Sequence, residues 1–268
     1  MALSGNQGKI KFGAAGSLGS TDFESSIYQW RTRQKRVLTP FTPFGYPYMR
    51  NHASKSYATF VRLSAFNWDK PILPPREPVD LVLENESGGL TGKALIYGVT
   101  AICNAVTGVA QRLEYDAVFT TDGLGVNGIA EAVVGSAITR QDVDFRSGDD
   151  ASVALTGPTI PAIAGAMAVQ LRYERKISPT PFAGVDQIRF LASKSMNLTG
   201  RLEIEAAKPR ILDRTVATLT VTFVSGQTWA QKIVLHESSQ GTSLLTGSPQ
   251  VHSYQFAAAA ETSSDDIT

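Results

Sequence analysis

Residues 52–66 read HASKSYATFVRLSAF, and residues 191–205 read LASKSMNLTGRLEIE. The two stretches share the tetrapeptide Ala-Ser-Lys-Ser at an offset of 139 residues, and the same offset places Arg62 on Arg201. A second pair of segments agrees at this offset, because TGVAQRLEY and TGSPQVHSY share Thr, Gly, Gln and Tyr. Independent matches at one offset indicate an internal repeat.

Upstream of these blocks the best match drifts to an offset of 141, where YQWRTRQK (28–35) lies over VQLRYERK (169–176). We expect a small insertion between the blocks to explain the drift, with a shorter loop in the second copy. The chain is therefore predicted to be a diverged tandem duplication of a unit of about 130 to 140 residues, which is an ordinary domain size.

The composition is typical of a globular protein. The 268 residues are 43% hydrophobic and 18% charged, so the chain can bury a sizeable core. The formal net charge is +1, which leaves no global positive field to hold nucleic acid or an anionic membrane. A single cysteine, Cys103, excludes an intramolecular disulfide framework and a zinc site built on several thiolates. No apolar run suits a signal peptide or a spanning helix, so we expect no membrane partner.

Most segments alternate polar and apolar residues in the way half-buried antiparallel strands do. In YQWRTRQK, the residues Tyr28, Trp30 and Thr32 share one face. YATFVRLSAF, GKALIYGVTAI, ATLTVTFV and TWAQKIVLH have the same period of two and are rich in Thr, Val, Ile and aromatic residues. The predicted fold class is mainly β.

Helical signals are sparse. The segment NGIAEAVVGSAI (127–138) has Asn127 as an N-cap candidate before an Ala/Val-rich run, and STDFESSIYQW has a weaker capping pattern. The first of these predicted helices lies near the midpoint of the chain and serves as the linker between copies. The predicted division is a first β domain over 1–126, a linker with a short helix over 127–150, a second β domain over 151–260 and a flexible acidic tail over 261–268.

Two motifs suggest chemistry but are better explained without it. GLGVNG matches the G-x-G-x-x-G pattern of dinucleotide sites at Gly123, Gly125 and Gly128, yet the rest of the chain lacks alternating strands and helices, which favours glycines at a domain junction. The adjacent Ser and Lys of Ala-Ser-Lys-Ser point to opposite faces of a strand, which argues against a nucleophile pair.

Nor do the histidines His52, His236 and His252 have a carboxylate or cysteine at metal-ligand spacing. We therefore expect no catalytic residue, cofactor or metal. Two other classes stay open at this point: a nucleotide-binding enzyme that uses the loop from Gly123 to Gly128, and a monomeric module that binds carbohydrate or decorates a capsid.

Two stretches point to assembly. The basic run RTRQKR (31–36) has few interleaved aromatic residues, which favours a solvated strand face or an ion-pair seam with a neighbouring subunit over a nucleic-acid groove. The segment LTPFTPFGYPYMRNHASKSY (38–57) is predicted as an exposed loop that docks onto another subunit, because its apolar surface exceeds what a monomer keeps in water. A loop folded over its own core is the alternative. The predicted assembly residues are Pro40, Phe41, Phe44, Tyr46, Tyr48, Met49 and Tyr57.

The opening MALSGNQGKIKFG and the segment GGLTGKALIYGVTAICNAVTGVAQRLEYDAVFTTDGLG resemble tail tube proteins of tailed bacteriophages. The likeness lies in a short Gly-bearing first strand, and in a strand, a Gly-Val/Ala turn and a Tyr/Phe-rich strand before a small-residue end. The resemblance implies two tandem β-sandwich domains, each with a short flanking helix and a long loop that contacts the next ring. In that family six such domains form a ring whose inner strands close a large β-barrel, so three duplicated chains would complete one ring. Baseplate hub proteins of the same superfamily are the close alternative.

The resemblance also implies a location and partners. The protein would be a virion structural protein, assembled in the bacterial host cytoplasm, whose rings stack on one another and meet tail terminator and baseplate proteins. The tape measure protein and genomic DNA would pass through the lumen without specific binding, which requires a neutral or acidic wall. Carboxylates at alternate positions of RLEYDAV and GRLEIEA are the lumen candidates: Glu114, Asp116, Glu203 and Glu205.

Overall fold

A computed structural model describes fifteen ranges of the chain, and these ranges are almost entirely β-strand without helix. The mainly β prediction is therefore confirmed. All pairings between the described strands are antiparallel. The described residues are 8–13, 27–41, 44–45, 50–66, 76–85, 88–104, 109–121, 129–132, 152–157, 160–164, 168–180, 185–205, 216–222, 228–241 and 251–259.

Both halves of the chain contribute strands of similar lengths in a similar order. The first half contains β1 (Gly8–Gly13), β2 (Ile27–Phe41), β3 (Arg50–Phe66), β4 (Val79–Asn85), β5 (Gly88–Asn104), β6 (Val109–Phe119) and β7 (Ile129–Ala132). The second half contains β8 (Ser152–Gly157), β9 (Ile160–Ala164), β10 (Ala168–Thr180), β11 (Arg189–Glu205), β12 (Val216–Thr222), β13 (Thr228–Gly241) and β14 (Val251–Ala258).

One sheet path connects the two halves in the order β2-β3-β6-β5-β10-β11-β14-β13-β12-β8-β9. The order β2-β3-β6-β5 in the first half has the same connectivity as β10-β11-β14-β13 in the second. Beyond these strands, β4 pairs with β5 and β1 with β4, just as β12 pairs with β13 and β8 with β12. The two halves therefore share one strand order, and they meet where β5 pairs with β10.

The register of the pairings also repeats at an offset of 139 residues. In each half a leucine lies opposite a buried tyrosine at the equivalent position of two neighbouring strands. The long strands β5 and β13 also carry a β-bulge at equivalent positions. Because a bulge is a feature of a particular position, its recurrence supports the equivalence of the halves. The equivalent pairs are Leu63–Tyr115 and Leu202–Tyr254, and the equivalent bulges lie between Ile96 and Gly98 and between Leu235 and Glu237.

The prediction of an insertion between the blocks is wrong. The β2–β3 and β10–β11 registers also differ by 139 residues, and their hairpins run from Phe41 to Arg50 and from Thr180 to Arg189. The two hairpin connections are thus equal in length, and the second loop is not the shorter one. An offset of 141 displaces the alignment by two residues. It keeps every residue on the correct face of the strand, because side chains alternate with a period of two.

The repeated Ala-Ser-Lys-Ser forms a bulged part of β3 and of β11, where three residues oppose a single residue of the partner strand. Arg175 Nη1 donates hydrogen bonds to the carbonyls of Ser193 at 2.8 Å and Lys194 at 2.7 Å. In the first half, Arg36 Nη1 donates to the carbonyl of Lys55 at 2.8 Å. The motif therefore recurs with an arginine that binds the carbonyls displaced by the bulge, which is a structural role.

Alternate apolar residues of both halves form one continuous core. The Tyr173 and Trp229 rings meet edge to face, with centroids 6.3 Å apart and planes at 87°. Their strands, β10 and β13, are not neighbours in the sheet, so the sheet curls until its apolar face packs against itself. The intervening polar residues of the same strands lie on the opposite side, here termed the polar face. The largest fully buried side chains are Trp229, Tyr115, Tyr173, Tyr254, Phe119 and Phe256.

The helix predicted over 127–138 is wrong at its described residues. Ile129–Ala132 form strand β7, which pairs with Gly89 to Gly92 of β5. The adjacent edge of β5 satisfies their backbone groups, and this tertiary pairing outweighs the modest helix propensity of the Ala-rich run. The rest of the predicted linker, the capping pattern before β2 and the tail over 261–268 lie outside the described residues, so the domain boundaries stay predictions.

A size exchange at one cross-strand pair shows how closely the halves correspond. Val61 opposes Ala117 between β3 and β6, whereas Gly200 opposes Phe256 at the equivalent position between β11 and β14. A Cβ atom on Gly200 would collide with the Phe256 ring and with the carbonyl of Gln170. The bulky side chain has moved to the other strand of the pair, so the pair still fills the core.

We predict that Gly200→Val lowers the free energy of unfolding by about 3 kcal/mol, because the new side chain overpacks the Phe256 ring. Phe256→Ala alone costs about 3 to 5 kcal/mol through the cavity it leaves. The double variant recreates the Val–Ala pair of the first half and should lose about 1 to 2 kcal/mol less than the sum of the single losses. Urea unfolding of the four proteins measures this coupling, and additive losses would contradict the equivalence.

Candidate assembly interface

The two halves meet along the internal seam, which is the pairing of β5 with β10 from Gly98–Glu174 to Asn104–Ala168. Side chains of the seam alternate between the core and the polar face. The core side carries the buried pairs Val99–Tyr173 and Ala101–Leu171, and the polar side carries Thr100–Arg172. The seam therefore combines a continuous backbone ladder with apolar burial on one side and polar contacts on the other.

A charged cluster holds the polar side of the internal seam. Asp116 of β6 is only 7% exposed, and its Oδ1 accepts a hydrogen bond from Arg62 Nε at 2.9 Å. Its Oδ2 lies 3.6 Å from Arg172 Nη1, and this nitrogen also donates to Thr100 Oγ1 at 3.1 Å. One carboxylate thus contacts an arginine from each half and links four neighbouring strands. Such charge-assisted hydrogen bonds are stronger than neutral ones.

Gly98 leaves the space in which these groups meet. It opposes Asp116, and a Cβ atom at Gly98 would lie 3.3 Å from the Asp116 carboxylate and 3.7 Å from Arg172 Nη2. Hydrogen bonding and the charge of Asp116 raise the pKa of the Arg62 guanidinium. Burial, followed by the charge of Asp116, raises the pKa of the neighbouring Tyr97 hydroxyl. Arg62 therefore stays charged and Tyr97 stays neutral at physiological pH.

A second contact joins the halves through the docking segment, residues 185–192 of the second half. The Tyr57 N–H donates to the Asp186 carbonyl at 2.7 Å, and the Ile188 N–H donates to the Tyr57 carbonyl at 2.9 Å. The rings of Phe60 and Phe190 pack at 6.0 Å between centroids. The docking segment thus lies against β3 and β6 of the first half. The buried members of this small apolar cluster are Ala58, Leu95, Val118, Ile188 and Phe190.

Counterparts of the two edges joined at the internal seam occur elsewhere in the described sheet, one on β2 at its end and one on part of β13. β2 is the counterpart of β10, and among the described strands it pairs only with β3. β13 is the counterpart of β5, and its pairing with β12 ends at Val234. Beyond that point, residues 237–241 pair with β14 alone within the described chain, whereas β10 occupies the corresponding edge of β5. The described chain therefore has one further edge that matches the seam edge of β10, on β2, and one that matches the seam edge of β5, on β13.

The predicted lumen carboxylates Glu114, Asp116 and Glu203 lie on the polar face, and each contacts an arginine. The side chain of Glu205 lies outside the described residues. Sequence reasoning missed the arginines, although the pattern Arg-x-Glu puts both charges on one strand face. The polar face of β3, β6, β10 and β11 thus carries paired charges. The contacts are Arg112–Glu114 at 3.3 Å, Arg62–Asp116 at 2.9 Å, Arg201–Glu203 at 2.8 Å and Arg172–Glu174 at 3.4 Å.

The prediction of a long loop over 38–57 is wrong at its two ends, because β2 extends to Phe41 and β3 begins at Arg50. Pro40 and Phe41 belong to β2, and Tyr57 belongs to β3. Tyr57 lies under the Arg36 guanidinium, 5.4 Å from its carbon to the ring centroid, in addition to its contact with the docking segment. Phe44 is fully exposed in the turn, beside Gly45 at φ 82°. Tyr46, Tyr48 and Met49 lie outside the described residues.

Within the described ranges, the histidines and the other residues considered for catalysis or metal binding do not lie together in one site. His252 is buried beside Tyr254, with 6.3 Å between the ring centroids, and His236 is exposed in the bulge of β13. Among the described residues there is no group of His, Cys, Asp and Glu suited to a metal ion, and no helix long and apolar enough to cross a membrane. The side chain of His52 and the loop from Gly123 to Gly128 lie outside the described part.

No protein-family model matches the chain, and no curated protein matches it. Among solved structures, it is similar to the structure of K. pneumonia MrkH in its apo state, at 9% sequence identity and a TM-score of 0.24. The match covers 90% of this chain and 81% of that one. A TM-score this low indicates neither a shared fold nor a shared function.

We predict that Asp116→Asn lowers the free energy of unfolding by about 2 kcal/mol, because Arg62 and Arg172 lose their shared carboxylate. The matched control is Glu114→Gln on the same strand, whose more exposed ion pair should contribute less than about 0.5 kcal/mol. Urea unfolding of the three proteins provides the comparison. Equal losses for the two variants would show that Asp116 does not hold the halves together.

Proposed function

We propose that this protein is a structural subunit that joins head to tail with copies of itself to form a ring, and that the stacked rings form a bacteriophage tail tube. The observation that carries the proposal is the presence, on β2 and on residues 237–241 of β13, of counterparts of the two strand edges that are already joined inside the chain. An exposed strand edge is a ready site for pairing with another chain. Adding β2 of one copy to β13 of the next would continue the sheet.

The internal repeat favours a closed assembly. A head-to-tail contact either closes into a ring or grows into a helical filament. If the contact between chains copies the contact between halves, nearly the same rotation relates every half to its neighbour. The resemblance to tail tube proteins implies that a ring contains six halves, and therefore three chains with pseudo-sixfold symmetry. Each chain would line the ring with β2, β3, β6 and β5 and their four counterparts.

The polar face would form the wall of the conduit. Arg62, Arg112, Arg172 and Arg201 each contact a carboxylate, so a passing DNA phosphate must compete with a bound carboxylate for every one of these arginines. DNA binding that depends on phosphates needs available cationic groups, and pairing reduces the number. The function is then mechanical: the wall guides DNA and the tape measure protein without holding them, and no enzyme activity or cofactor is part of the proposal.

The 139-residue offset suggests a role in this assembly for the segment 38–57. Its residues Tyr46, Tyr48 and Met49 are the sequence counterparts of members of the docking segment. We therefore expect them to contact the second half of the next chain within the ring, besides the contacts between rings that the resemblance implies. The counterparts are Val185, Gln187 and Ile188.

A baseplate hub of the same superfamily is the second candidate, because a trimer of duplicated domains would serve it equally well. The two functions differ in what the ring does next. A tube subunit stacks on itself and is bounded by the tail terminator and the baseplate, whereas a hub forms a single ring at the baseplate. In either case the protein would be part of the virion, after assembly in the bacterial cytoplasm.

We predict that the purified, concentrated protein forms rings with a central hole, and that these rings contain three chains. Negative-stain electron microscopy shows the hole and the symmetry, and native mass spectrometry counts the chains. Stacked rings favour the tube, and single rings that never stack favour the hub. A protein that stays monomeric up to its solubility limit would contradict both.

A further inference from the structure

We infer that the contact between chains, here termed the external seam, has one register, fixed by Glu237 and Ser239 of one copy and by Lys35 and Arg33 of the next. The inference rests on the proposed function, because it takes β13 and β2 of two copies to meet as β5 and β10 meet inside one chain. It adds which side chains face each other across the two chains and which interactions favour this register.

The register follows from the internal seam. There Gly98 opposes Glu174, and Thr100 opposes Arg172. β13 corresponds to β5 at the 139-residue offset with the bulge included, and β10 corresponds to β2 at the same offset. The backbone groups that face outward are therefore equivalent as well. Transferring the register gives the pairs Glu237–Lys35, Ser238–Gln34, Ser239–Arg33, Gln240–Thr32 and Gly241–Arg31.

The pair Ser239–Arg33 preserves a hydrogen bond seen at the internal seam. Arg172 donates to the hydroxyl of Thr100 at 3.1 Å. At the external seam an arginine again faces a residue with a hydroxyl, because Arg33 is the counterpart of Arg172 and Ser239 that of Thr100. The same donor and acceptor chemistry is available at the same position, although the flanking residues have diverged.

The carboxylate of the internal cluster has a replacement on the neighbouring strand. The counterpart of Asp116 is Gln255, which has no charge to offer an arginine. The counterpart of Gly98 is Glu237, so a carboxylate is lost from the strand of Asp116 and gained on the strand beside it. This exchange resembles the size exchange in the core, but it involves charge.

The new carboxylate is placed to meet the basic edge of the next chain. A Cβ atom at Gly98 would lie 3.7 Å from Arg172 Nη2, so by equivalence the Cβ of Glu237 lies close to the Arg33 guanidinium. Glu237 also directly opposes Lys35, and opposite charges in a cross-strand pair stabilise the pairing. Glu237, Arg33 and Lys35 are all exposed in the single chain, as an interface between chains requires.

The remaining pairs explain why charge would select the partner. On the core side the internal seam pairs Val99 with Tyr173, whereas the external seam pairs Ser238 with Gln34. These polar edges stay soluble before assembly but provide little apolar burial. The run of positive charge over residues 31–36 also opposes the pairing of two β2 edges, so it directs β2 to the edge that carries Glu237.

Charge reversal tests the inference. Glu237→Lys places a lysine against Lys35 and should raise the concentration for half-maximal assembly at least about tenfold, since like charges in a cross-strand pair are destabilising. Adding Lys35→Glu restores opposite charges at every external seam and should return assembly to within about threefold of wild type. Glu77→Lys is the matched control, an exposed carboxylate outside β2 and β13 with the same change in net charge.

Sedimentation velocity gives the assembly curves, and circular dichroism checks that each variant is folded. Head-to-tail oligomers that respond as described, but that show no rings with a central hole, would retain the external seam and overturn the proposed function. Rings that form equally well with Glu237→Lys, or that the double variant does not restore, would overturn the seam and leave the function standing. A monomeric wild type would overturn both.

Discussion

The pairing of β5 with β10 is the constraint on which the rest of the structure depends. It makes one sheet of two halves, and it occupies the edges of β5 and β10, whose counterparts on β13 and β2 lie elsewhere in the described sheet. Because the halves share strand order and register, the edge of β2 matches the edge of β10 that the seam occupies, and the edge of β13 matches that of β5. The Asp116 cluster holds this seam on its polar side, and tyrosine and leucine side chains bury its core side.

The two halves have diverged by exchanging properties between paired residues. In the core, Val61 with Ala117 becomes Gly200 with Phe256, which preserves the filling of the interior. On the polar face, a glycine opposite an aspartate becomes a glutamate opposite a glutamine, which moves a carboxylate by one strand. The first exchange maintains the fold of each half. The second places a carboxylate on the part of β13 that we propose to meet the next chain.

The sequence predicted the strands and the main offset well, because alternation with a period of two and the repeated Ala-Ser-Lys-Ser are local patterns. The sequence comparison aligned β2 with β10 two residues out of register, because an even displacement preserves the alternation of polar and apolar residues. It predicted helix where Ile129–Ala132 pair with β5, because that pairing is a tertiary interaction which local propensity does not contain. The charged cluster was beyond sequence reasoning for the same reason, since Arg62, Asp116 and Arg172 come from three strands.

The central claim is that the external seam copies the internal one, and disulfide trapping tests it most directly. Directly opposed Cα atoms in an antiparallel pair lie about 4.5 to 5.5 Å apart, which a disulfide can span. In a Cys103→Ser background, Gln34→Cys with Ser238→Cys leaves the four charged and hydroxyl residues of the seam in place and should oxidise to covalent chains that end at a closed ring of three. Thr32→Cys with Ser238→Cys, displaced by two residues, should stay unlinked. Equal linking of the two pairs, or no linking between chains, would contradict the account.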